Sequence, residues 1–223
     1  MSLNRKLEAL SEAMWRNAGP EGAALRAKAL ANQSLYTFEG KPKKAVAVLP
    51  DAGLINADGE PVNLYTAIGA RPAVIAFFRG SWCPYSTTAM RAIQSIADDL
   101  HKMGVALIGI TPQRHITLEA AIWRNGLNWQ LFTVPGVDLV DSLGIGVRII
   151  PEMIELYRSQ GFDLETLNET HSWILPLEAT YIVDEQKRIV EAASWPYPSR
   201  RMEPADILAA ARRLSPVARA VPA

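Results

Sequence analysis

The sequence predicts an α/β fold with a mixed central sheet, helices on both faces of that sheet, and a helical N-terminal extension. Two short runs, 73–78 and 105–110, are apolar throughout, which is typical of parallel strands covered on both faces. A helical pattern that begins at Pro84 lies between them. A strand pair at 180–192 and a final helix from Pro204 complete the pattern, so strands and crossover helices alternate within one domain.

The first 45 residues have a helical pattern rather than an alternating one. Apolar residues recur at helical spacing at Leu3, Leu7, Leu10 and Met14. Gly19-Pro20 interrupts this pattern, and an alanine-rich stretch at 21–33 resumes it before a short basic linker at 41–44. We therefore predict two units, a helical extension with its linker over 1–45 and the main domain over 46–223.

The main domain opens with a turn signal and continues into the first crossover. Residues 57–60 carry the turn between apolar stretches at 54–55 and 62–64. After the strand at 73–78, one helix is predicted from Pro84 to Gly104, because its apolar residues fall on one face. These residues are Ala89, Ile93, Ile96, Ala97 and Leu100.

The rest of the domain alternates in the same way. The predicted elements are a helix at 115–125, a strand at 127–134, a short helix at 137–143, a helix from Pro151 to about Ser159, hairpin strands at 180–184 and 188–192, and the helix from Pro204.

Charge and cysteine content argue against several classes of function. The 23 basic and 23 acidic side chains cancel, so the global charge favours neither nucleic acid nor an anionic membrane as a partner. No apolar run approaches the ~20 residues that a membrane-spanning helix needs, and no secretory signal is evident. A single cysteine cannot form an intramolecular disulfide, so we predict a cytoplasmic protein. The three histidines lack metal-ligand spacing, and we predict neither a metal nor a cofactor.

That single cysteine, Cys83, stands where the apolar strand at 73–78 gives way to the helix from Pro84. The unpaired N–H groups and the positive dipole end of a helix N-terminus favour an anion, and the thiolate is the reactive form of cysteine. The carboxyl ends of strands are also where functional groups collect in α/β folds. We predict that Cys83 is a nucleophile; the alternative is an inert core cysteine, since free cysteine is often buried.

The segment around Cys83 carries a resemblance to a known family. Residues 77–86, which read Phe-Phe-Arg-Gly-Ser-Trp-Cys-Pro-Tyr-Ser, resemble the active-site segment of the alkyl hydroperoxide reductase and thiol-specific antioxidant (AhpC/TSA) family, in its peroxiredoxin-like branch. Further segments resemble landmarks of this family in the expected order, at 58–64, 108–113, 172–176, 179–184 and 203–208.

The resemblance implies a thioredoxin-like fold and reduction of peroxides, either hydrogen peroxide or small organic hydroperoxides, through a sulfenic acid on Cys83. Near relatives have a second cysteine where this chain has Ser86, so an external thiol such as glutathione or thioredoxin must recycle the enzyme. The Ser86 hydroxyl either hydrogen-bonds the thiolate or makes a local backbone bond. By analogy with thioredoxin-fold peroxidases, we also expect a homodimer.

Two positions depart from the pattern of the family. Its members carry Thr or Ser three residues before the nucleophile to bind peroxide, whereas this chain has Gly80 there and Ser81 one position later. They also carry an arginine shortly before the late strand, where this chain offers Glu178. Glu178 is interpreted as a solvent-facing loop residue, the alternative being a proton carrier whose charge opposes thiol activation.

Three further side chains are candidates for supporting roles. Arg79 and Arg148 either support the thiolate and guide an anionic substrate, or are surface arginines that cover apolar area. Trp82 either shields the sulfur from water or packs in the core.

Two other functions stay open at this point. The tetrad at 83–86, Cys-Pro-Tyr-Ser, resembles the active site of glutaredoxins and suits disulfide exchange with glutathione. The second alternative is a non-catalytic thioredoxin-fold interaction module that has lost its peroxide-binding groups.

Overall fold

The computed structural model describes residues 1–16, 18–38, 40–42 and 45–214. The helices are α1 (Leu3–Trp15), α2 (Gly19–Ser34), α3 (Leu64–Ile68), α4 (Pro84–Gln94), α5 (Ala97–Lys102), α6 (Leu118–Asn125), α7 (Asp138–Ser142), α8 (Pro151–Ser159), α9 (Leu164–Leu167) and α10 (Pro204–Arg212). The strands are β1 (Thr37–Phe38), β2 (Lys41–Pro42), β3 (Gly53–Ile55), β4 (Pro61–Asn63), β5 (Ala73–Phe77), β6 (Ala106–Thr111), β7 (Gln130–Thr133), β8 (Gly146–Arg148), β9 (Ile174–Pro176), β10 (Ala179–Val183) and β11 (Ile189–Ser194).

The central sheet has seven strands in the order β11-β10-β5-β6-β7-β3-β4. Strand β5 lies in the middle, parallel to β6 and antiparallel to β10. Strand β7 continues the parallel part beyond β6, while β3, β4 and β11 pair antiparallel. The predicted mixed α/β sheet is therefore confirmed, and every residue of β5 and β6 is buried, as the two apolar runs predicted.

Alternate residues of β5 enter two hydrophobic cores, one on each face of the sheet. Val74 and Ala76 pack with helices α1, α4, α5, α6 and α10 on one face. Ala73 and Ile75 pack with α3 and α7 on the other. Helices thus cover both faces of the sheet. The candidate site lies at the carboxyl end of β5.

The predicted helix from Pro84 to Gly104 is in fact two helices, because α4 ends at Gln94 and α5 begins at Ala97. The N–H groups of Ser95 and Ile96 bond to carbonyls three residues back, and the Ser95 hydroxyl donates to the Ala92 carbonyl at 2.7 Å. These shorter bonds tighten the last turn of α4, which ends the α-helical ladder.

One strand boundary also differs from prediction. Strand β7 begins at Gln130 rather than at Leu127, because the Leu127 N–H closes the end of α6 on the Ile122 carbonyl. Arg148, a candidate supporting residue, lies in strand β8, which pairs antiparallel with β9.

The first helix of the N-terminal extension packs into the core of the main domain. Leu3 and Leu7 of α1 are buried in the cluster that covers one face of the sheet. Of the predicted basic linker, Lys41 lies in strand β2, whereas Lys43 and Lys44 fall outside the described residues, as does 215–223. Across the part of the chain that the structure describes, no helix combines the length and apolarity needed to cross a membrane.

Candidate active site

Cys83 is the N-cap residue of α4, at the corner that joins strand β5 to this helix. The Phe78 N–H still donates to the Ile110 carbonyl of β6, and the chain then leaves the sheet. The Cys83 N–H donates to the Gly80 carbonyl at 3.1 Å, which closes a tight turn before Pro84 opens the helix. The Cys83 side chain is buried, with 5% of the residue exposed. Cys83 therefore lies at the helix N-terminus where the sequence predicted it.

The glycine at position 80 has a structural cause, which is the indole of Trp82. Gly80 has a φ of +139°, which favours glycine, and a β-carbon placed there would lie 2.4 Å from Trp82 Nε1. The indole therefore occupies the space into which a threonine or serine at this position would project.

The Trp82 ring is held by aromatic neighbours from the segment after β8. Its centroid lies 6.1 Å from that of Tyr157 and 6.0 Å from that of Phe162. Tyr157 in turn stacks on Trp173. The Trp82 Nε1–H is buried and has no hydrogen-bond partner among the described residues. A buried donor without a partner is costly, so this one calls for an explanation.

Ser81 is fixed through its backbone. Its N–H donates to Gln113 Oε1 at 2.6 Å, and Gln113 Nε2 donates to the Thr117 hydroxyl at 3.0 Å. Gln113 lies two residues beyond the end of β6 and is buried, so it ties the turn before Cys83 to the carboxyl end of the neighbouring strand. The sequence did not single out Gln113.

Among the described residues the Ser86 hydroxyl makes no hydrogen bond with Cys83; it bonds a backbone N–H and a carboxylate instead. It accepts a hydrogen bond from the Arg79 N–H at 3.2 Å and donates a short one to Glu178 Oε1. Ser86 is fully buried, so both bonds are shielded from water. Ser86 therefore links the turn of Cys83 to the segment between β9 and β10.

The interpretation of Glu178 as a solvent-facing loop residue is wrong. Only 4% of the residue is exposed, and besides Ser86 its carboxylate contacts the guanidinium of Arg201 in a buried ion pair. A carboxylate can be buried when it is paired and hydrogen-bonded. Arg201 comes from the loop before α10, so the sequence prediction had no local signal for the pairing.

Arg201 is itself held by the N-terminal helix. Its N–H donates to Asn4 Oδ1 at 2.8 Å, and Asn4 Nδ2 donates back to the Arg201 carbonyl at 3.1 Å. The Glu203 carboxylate accepts the N–H groups of both Leu3 and Asn4, each at 2.9 Å. Glu203 thereby satisfies donors in the first turn of α1, which anchors the loop that carries Arg201.

Arg79 is buried rather than a surface arginine, with 7% of the residue exposed. Its Nη2 donates to Gln33 Oε1 of α2 at 2.8 Å, and its side chain also interacts with the Tyr157 hydroxyl. Arg148 stands apart from this group, since it lies in β8 with an exposed side chain.

The charges around Cys83 act on one another. Burial lowers the pKa of the Arg201 guanidinium and nearby Arg79 lowers it further, while Cys83 and Tyr85 act in the opposite direction. Burial raises the pKa of Tyr157, an effect that Arg79 opposes and Cys83 reinforces. The two arginines, the thiol and the tyrosines therefore share one electrostatic environment. Within the described ranges, no group of three or more potential metal ligands occurs.

This site lies within the part of the chain that matches a known family. Residues 46–192 match the profile of the AhpC/TSA family, which is more than half of the chain. The chain belongs to the AhpC/TSA family. This membership confirms the resemblance seen in the segment around Cys83. It also indicates that the protein is an oxidoreductase of the thiol peroxidase type. No curated protein sequence matches this chain.

Solved structures share the thioredoxin-like fold at low sequence identity. The peroxidoxin BcpB of Mycobacterium tuberculosis is 14% identical, with a TM-score of 0.58 over 75% of this chain and 95% of that one. Reduced Prx3 of Vibrio vulnificus, in complex with hydrogen peroxide, is 14% identical, with a TM-score of 0.60 over 75% and 99%. A putative protein disulfide isomerase of Bacteroides thetaiotaomicron is 18% identical, with a TM-score of 0.52 over 79% and 92%. The fold by itself therefore does not separate peroxidase from disulfide chemistry.

Proposed function

We propose that this AhpC/TSA family member is a one-cysteine thiol peroxidase with Cys83 as its nucleophile. The observation that carries the proposal is the position of the chain's single cysteine at the N-terminus of α4, within the residues that match the family. The positive end of the helix dipole and the first-turn N–H groups favour the thiolate there.

The reaction needs only the thiolate and a peroxide ROOH. The Cys83 sulfur attacks the terminal oxygen, an S–O bond forms, and the O–O bond breaks. The leaving RO⁻ takes a proton and departs as water or an alcohol, and Cys83 is left as a sulfenic acid. The sulfur is oxidised by two electrons and the peroxide is reduced by two.

Donors around the corner support this step. The N–H groups of Tyr85 and Ser86 lie in the first turn of α4, where no helix carbonyl can reach them. The buried Nε1–H of Trp82, without a partner among the described residues, lies against Gly80. In this proposal the indole N–H replaces the hydroxyl that family members carry at that position, and it hydrogen-bonds the peroxide.

The Ser86–Glu178–Arg201 chain has a positioning role in this proposal. Arg201 supplies a buried positive charge near Cys83, and Glu178 both holds and partly neutralises that charge. Ser86 fixes Glu178 to the turn before Cys83. The proposal does not use Glu178 as a proton carrier, because both of its oxygens are already engaged.

Recycling requires thiols from outside the chain. Ser86 cannot form a disulfide, and Cys83 is the only cysteine. One external thiol attacks the sulfenic acid, which releases water and leaves a mixed disulfide; a second thiol then releases Cys83. Glutathione and thioredoxin are thiols that can act in this way, and both suit the cytoplasmic location that we predict.

The test treats the reduced protein with one equivalent of hydrogen peroxide, traps with a sulfenic-acid reagent, and locates the adduct by mass spectrometry. We expect rapid modification at Cys83 and none in Cys83→Ser. Oxidation no faster than that of free cysteine would reject the peroxidase. Parallel mixing with glutathione disulfide tests the glutaredoxin-like alternative, which the Cys83–Ser86 tetrad favours: fast glutathionylation without a fast peroxide reaction would establish it. Inertness to both would leave the interaction module.

A further inference from the structure

A cavity of about 440 Å³ lies between the N-terminal helices and α8. Helices α1 and α2 form one wall, α8 forms the opposite wall, and Arg79 and Tyr85 reach its inner end from the Cys83 corner. Its volume falls in the range of small-molecule sites, ~300–1,000 Å³. The first wall lies outside the residues that match the AhpC/TSA family, so this cavity, here named the N-terminal pocket, belongs to the extension of this chain.

The lining of the N-terminal pocket is amphipathic. Its walls are mainly aliphatic and aromatic, and they include Met14, Trp15, Leu25, Leu30, Met153 and Leu156. Its charged members are two arginines, Arg26 and Arg79, and no carboxylate lines it among the described residues. Charge complementarity therefore favours an anion with a hydrocarbon body.

The polar groups of the pocket retain hydrogen-bonding capacity. Arg79 Nε is buried and has no hydrogen-bond partner among the described residues. The Tyr85 hydroxyl is likewise buried and has no hydrogen-bond partner among the described residues. Both residues are more than nine-tenths buried, so each idle donor is costly unless a ligand meets it.

Arg26 provides the second positive charge. Its Nη2 donates to the Ser11 hydroxyl at 2.9 Å, and its guanidinium lies 6.0 Å from the ring centroid of Trp15. Neither contact neutralises the charge, and the described residues offer it no ion-pair partner. An incoming carboxylate would supply acceptors to the guanidinium groups.

The walls are held together in advance. Lys28 of α2 pairs with Glu152 of α8, and Asn32 Nδ2 of α2 donates to the Arg148 carbonyl of β8 at 2.9 Å. A pocket whose walls are already fixed loses little freedom when a ligand enters.

We propose that the N-terminal pocket binds an organic carboxylate, with its carboxyl group on the arginines and its hydrocarbon chain between α1, α2 and α8. This inference goes beyond the peroxidase function and does not depend on it. Two kinds of organic carboxylate fit this description. One carries a hydroperoxide group and would be a substrate of Cys83. The other carries no hydroperoxide group and does not react with Cys83.

The binding test uses Cys83→Ser protein, so that no redox chemistry intervenes, and isothermal titration with octanoate, 1-octanol and acetate. We expect octanoate to bind at one site, at least ten-fold tighter than 1-octanol, and acetate not to bind. Arg26→Gln should weaken octanoate about ten-fold and leave 1-octanol unchanged. Arg5→Gln, an exposed arginine of α1, is the matched control and should change neither.

Filling the cavity gives a second, steric test. Ala29→Phe on α2 and Met153→Trp on α8 project into it from opposite walls, and each should abolish octanoate binding. Thermal unfolding checks that each variant folds. Because the two substitutions fill the pocket from different walls, the test does not depend on either variant alone. The proposal is overturned if octanoate does not bind, if Arg26→Gln binds it as the parent does, or if a folded filling variant retains it.

A competition experiment on the protein that retains Cys83 distinguishes the two kinds of carboxylate. If octanoate slows oxidation of Cys83 by a hydroperoxy fatty acid but not by hydrogen peroxide, the occupant is a substrate. If it slows neither while still binding, the occupant is a non-reacting carboxylate. Failure of Cys83 to react with any peroxide rejects the peroxidase and leaves the titration result standing.

Discussion

The Ser86 hydroxyl donates a hydrogen bond to Glu178 Oε1, deep beneath the N-terminal turn of α4. These are the two positions at which the resemblance led us to expect a second cysteine and an arginine. In this chain the two side chains contact each other, and Arg201 brings a positive charge to Glu178 from a different loop. The two departures from the expected pattern are therefore linked by one hydrogen bond.

Glu178→Gln tests the electrostatic effect of that carboxylate on Cys83. Loss of the negative charge should favour the thiolate, so alkylation of Cys83 by iodoacetamide at pH 6 should become faster. The buried Arg201 loses its counter-ion, so the free energy of unfolding should fall by about 3 kcal/mol. Glu191→Gln, which breaks the surface pair with Arg213, is the matched control and should leave both quantities nearly unchanged. An unaltered alkylation rate in Glu178→Gln would remove Glu178 from the electrostatics of the thiol.

The ion pair of Glu178 and Arg201 should show strong coupling in a double-mutant cycle. Arg201→Gln alone leaves a buried carboxylate without its cation, at a cost of about 3–5 kcal/mol in urea unfolding. The variant with both residues changed to Gln should lose much less than the sum of the two single losses. Additive losses would show that the two side chains do not depend on each other.

Trp82→Phe separates the indole N–H from the packing of the ring. Phenylalanine retains the contacts with Tyr157 and Phe162 but cannot donate a hydrogen bond, so stability should change by less than about 1.5 kcal/mol. The rate of Cys83 oxidation by hydrogen peroxide should fall roughly ten-fold, as expected for one lost donor. Stopped-flow kinetics would measure this, with the alkylation rate of Cys83 as control. If peroxide and iodoacetamide rates fall together, the indole acts on the thiol rather than on the peroxide.

Gly80→Ala tests whether the glycine exists to admit the indole. An added β-carbon meets Trp82 Nε1 at 2.4 Å and occupies an unfavourable φ, so unfolding should cost more than about 2 kcal/mol. Gly126→Ala is a control for the backbone term, because Gly126 also has a positive φ but nothing within 4 Å of an added β-carbon. Gly126→Ala should cost about 1 kcal/mol. Equal losses in the two variants would argue against the steric account.

Glu203→Gln tests the anchoring of α1. The carboxylate accepts two first-turn N–H groups, and its charge suits the positive end of the helix dipole. Its loss should destabilise the protein by about 1–2 kcal/mol and speed amide hydrogen exchange in α1. Glu8→Gln, an exposed glutamate within α1, should leave exchange unchanged. Unaltered exchange in Glu203→Gln would mean that core packing of Leu3 and Leu7 alone holds the helix.

The sheet and the position of Cys83 were predictable because their signals are local. An apolar run indicates β5, and Pro84 marks the start of α4, so Cys83 had to lie at the corner between them. The absence of a hydroxyl at Gly80 was also visible in the sequence. Its cause was not, because the place of the Trp82 ring depends on aromatic residues more than 70 positions later.

The surroundings of the cysteine were less predictable because they depend on distant partners. A glutamate in a loop is usually exposed, and Glu178 is buried only because Arg201 and Ser86 meet it. Arg201 in turn is held by Asn4 across a sequence separation of 197 residues. The periodicity of apolar residues does not predict contacts between residues so far apart in the sequence.

Glu203 accepts hydrogen bonds from Leu3 and Asn4, which lie 200 and 199 residues earlier in the chain. This separation affects the order in which contacts form as the protein folds. During synthesis the strand and helix that hold Cys83 leave the ribosome long before Arg201 does. Contacts of such long range form late in folding, because closing the intervening loop must come first. In a nascent chain α1 and Cys83 therefore emerge before Arg201 and before Glu203, the residue that anchors α1, so the surroundings of the thiol are completed only after residue 203 has been made.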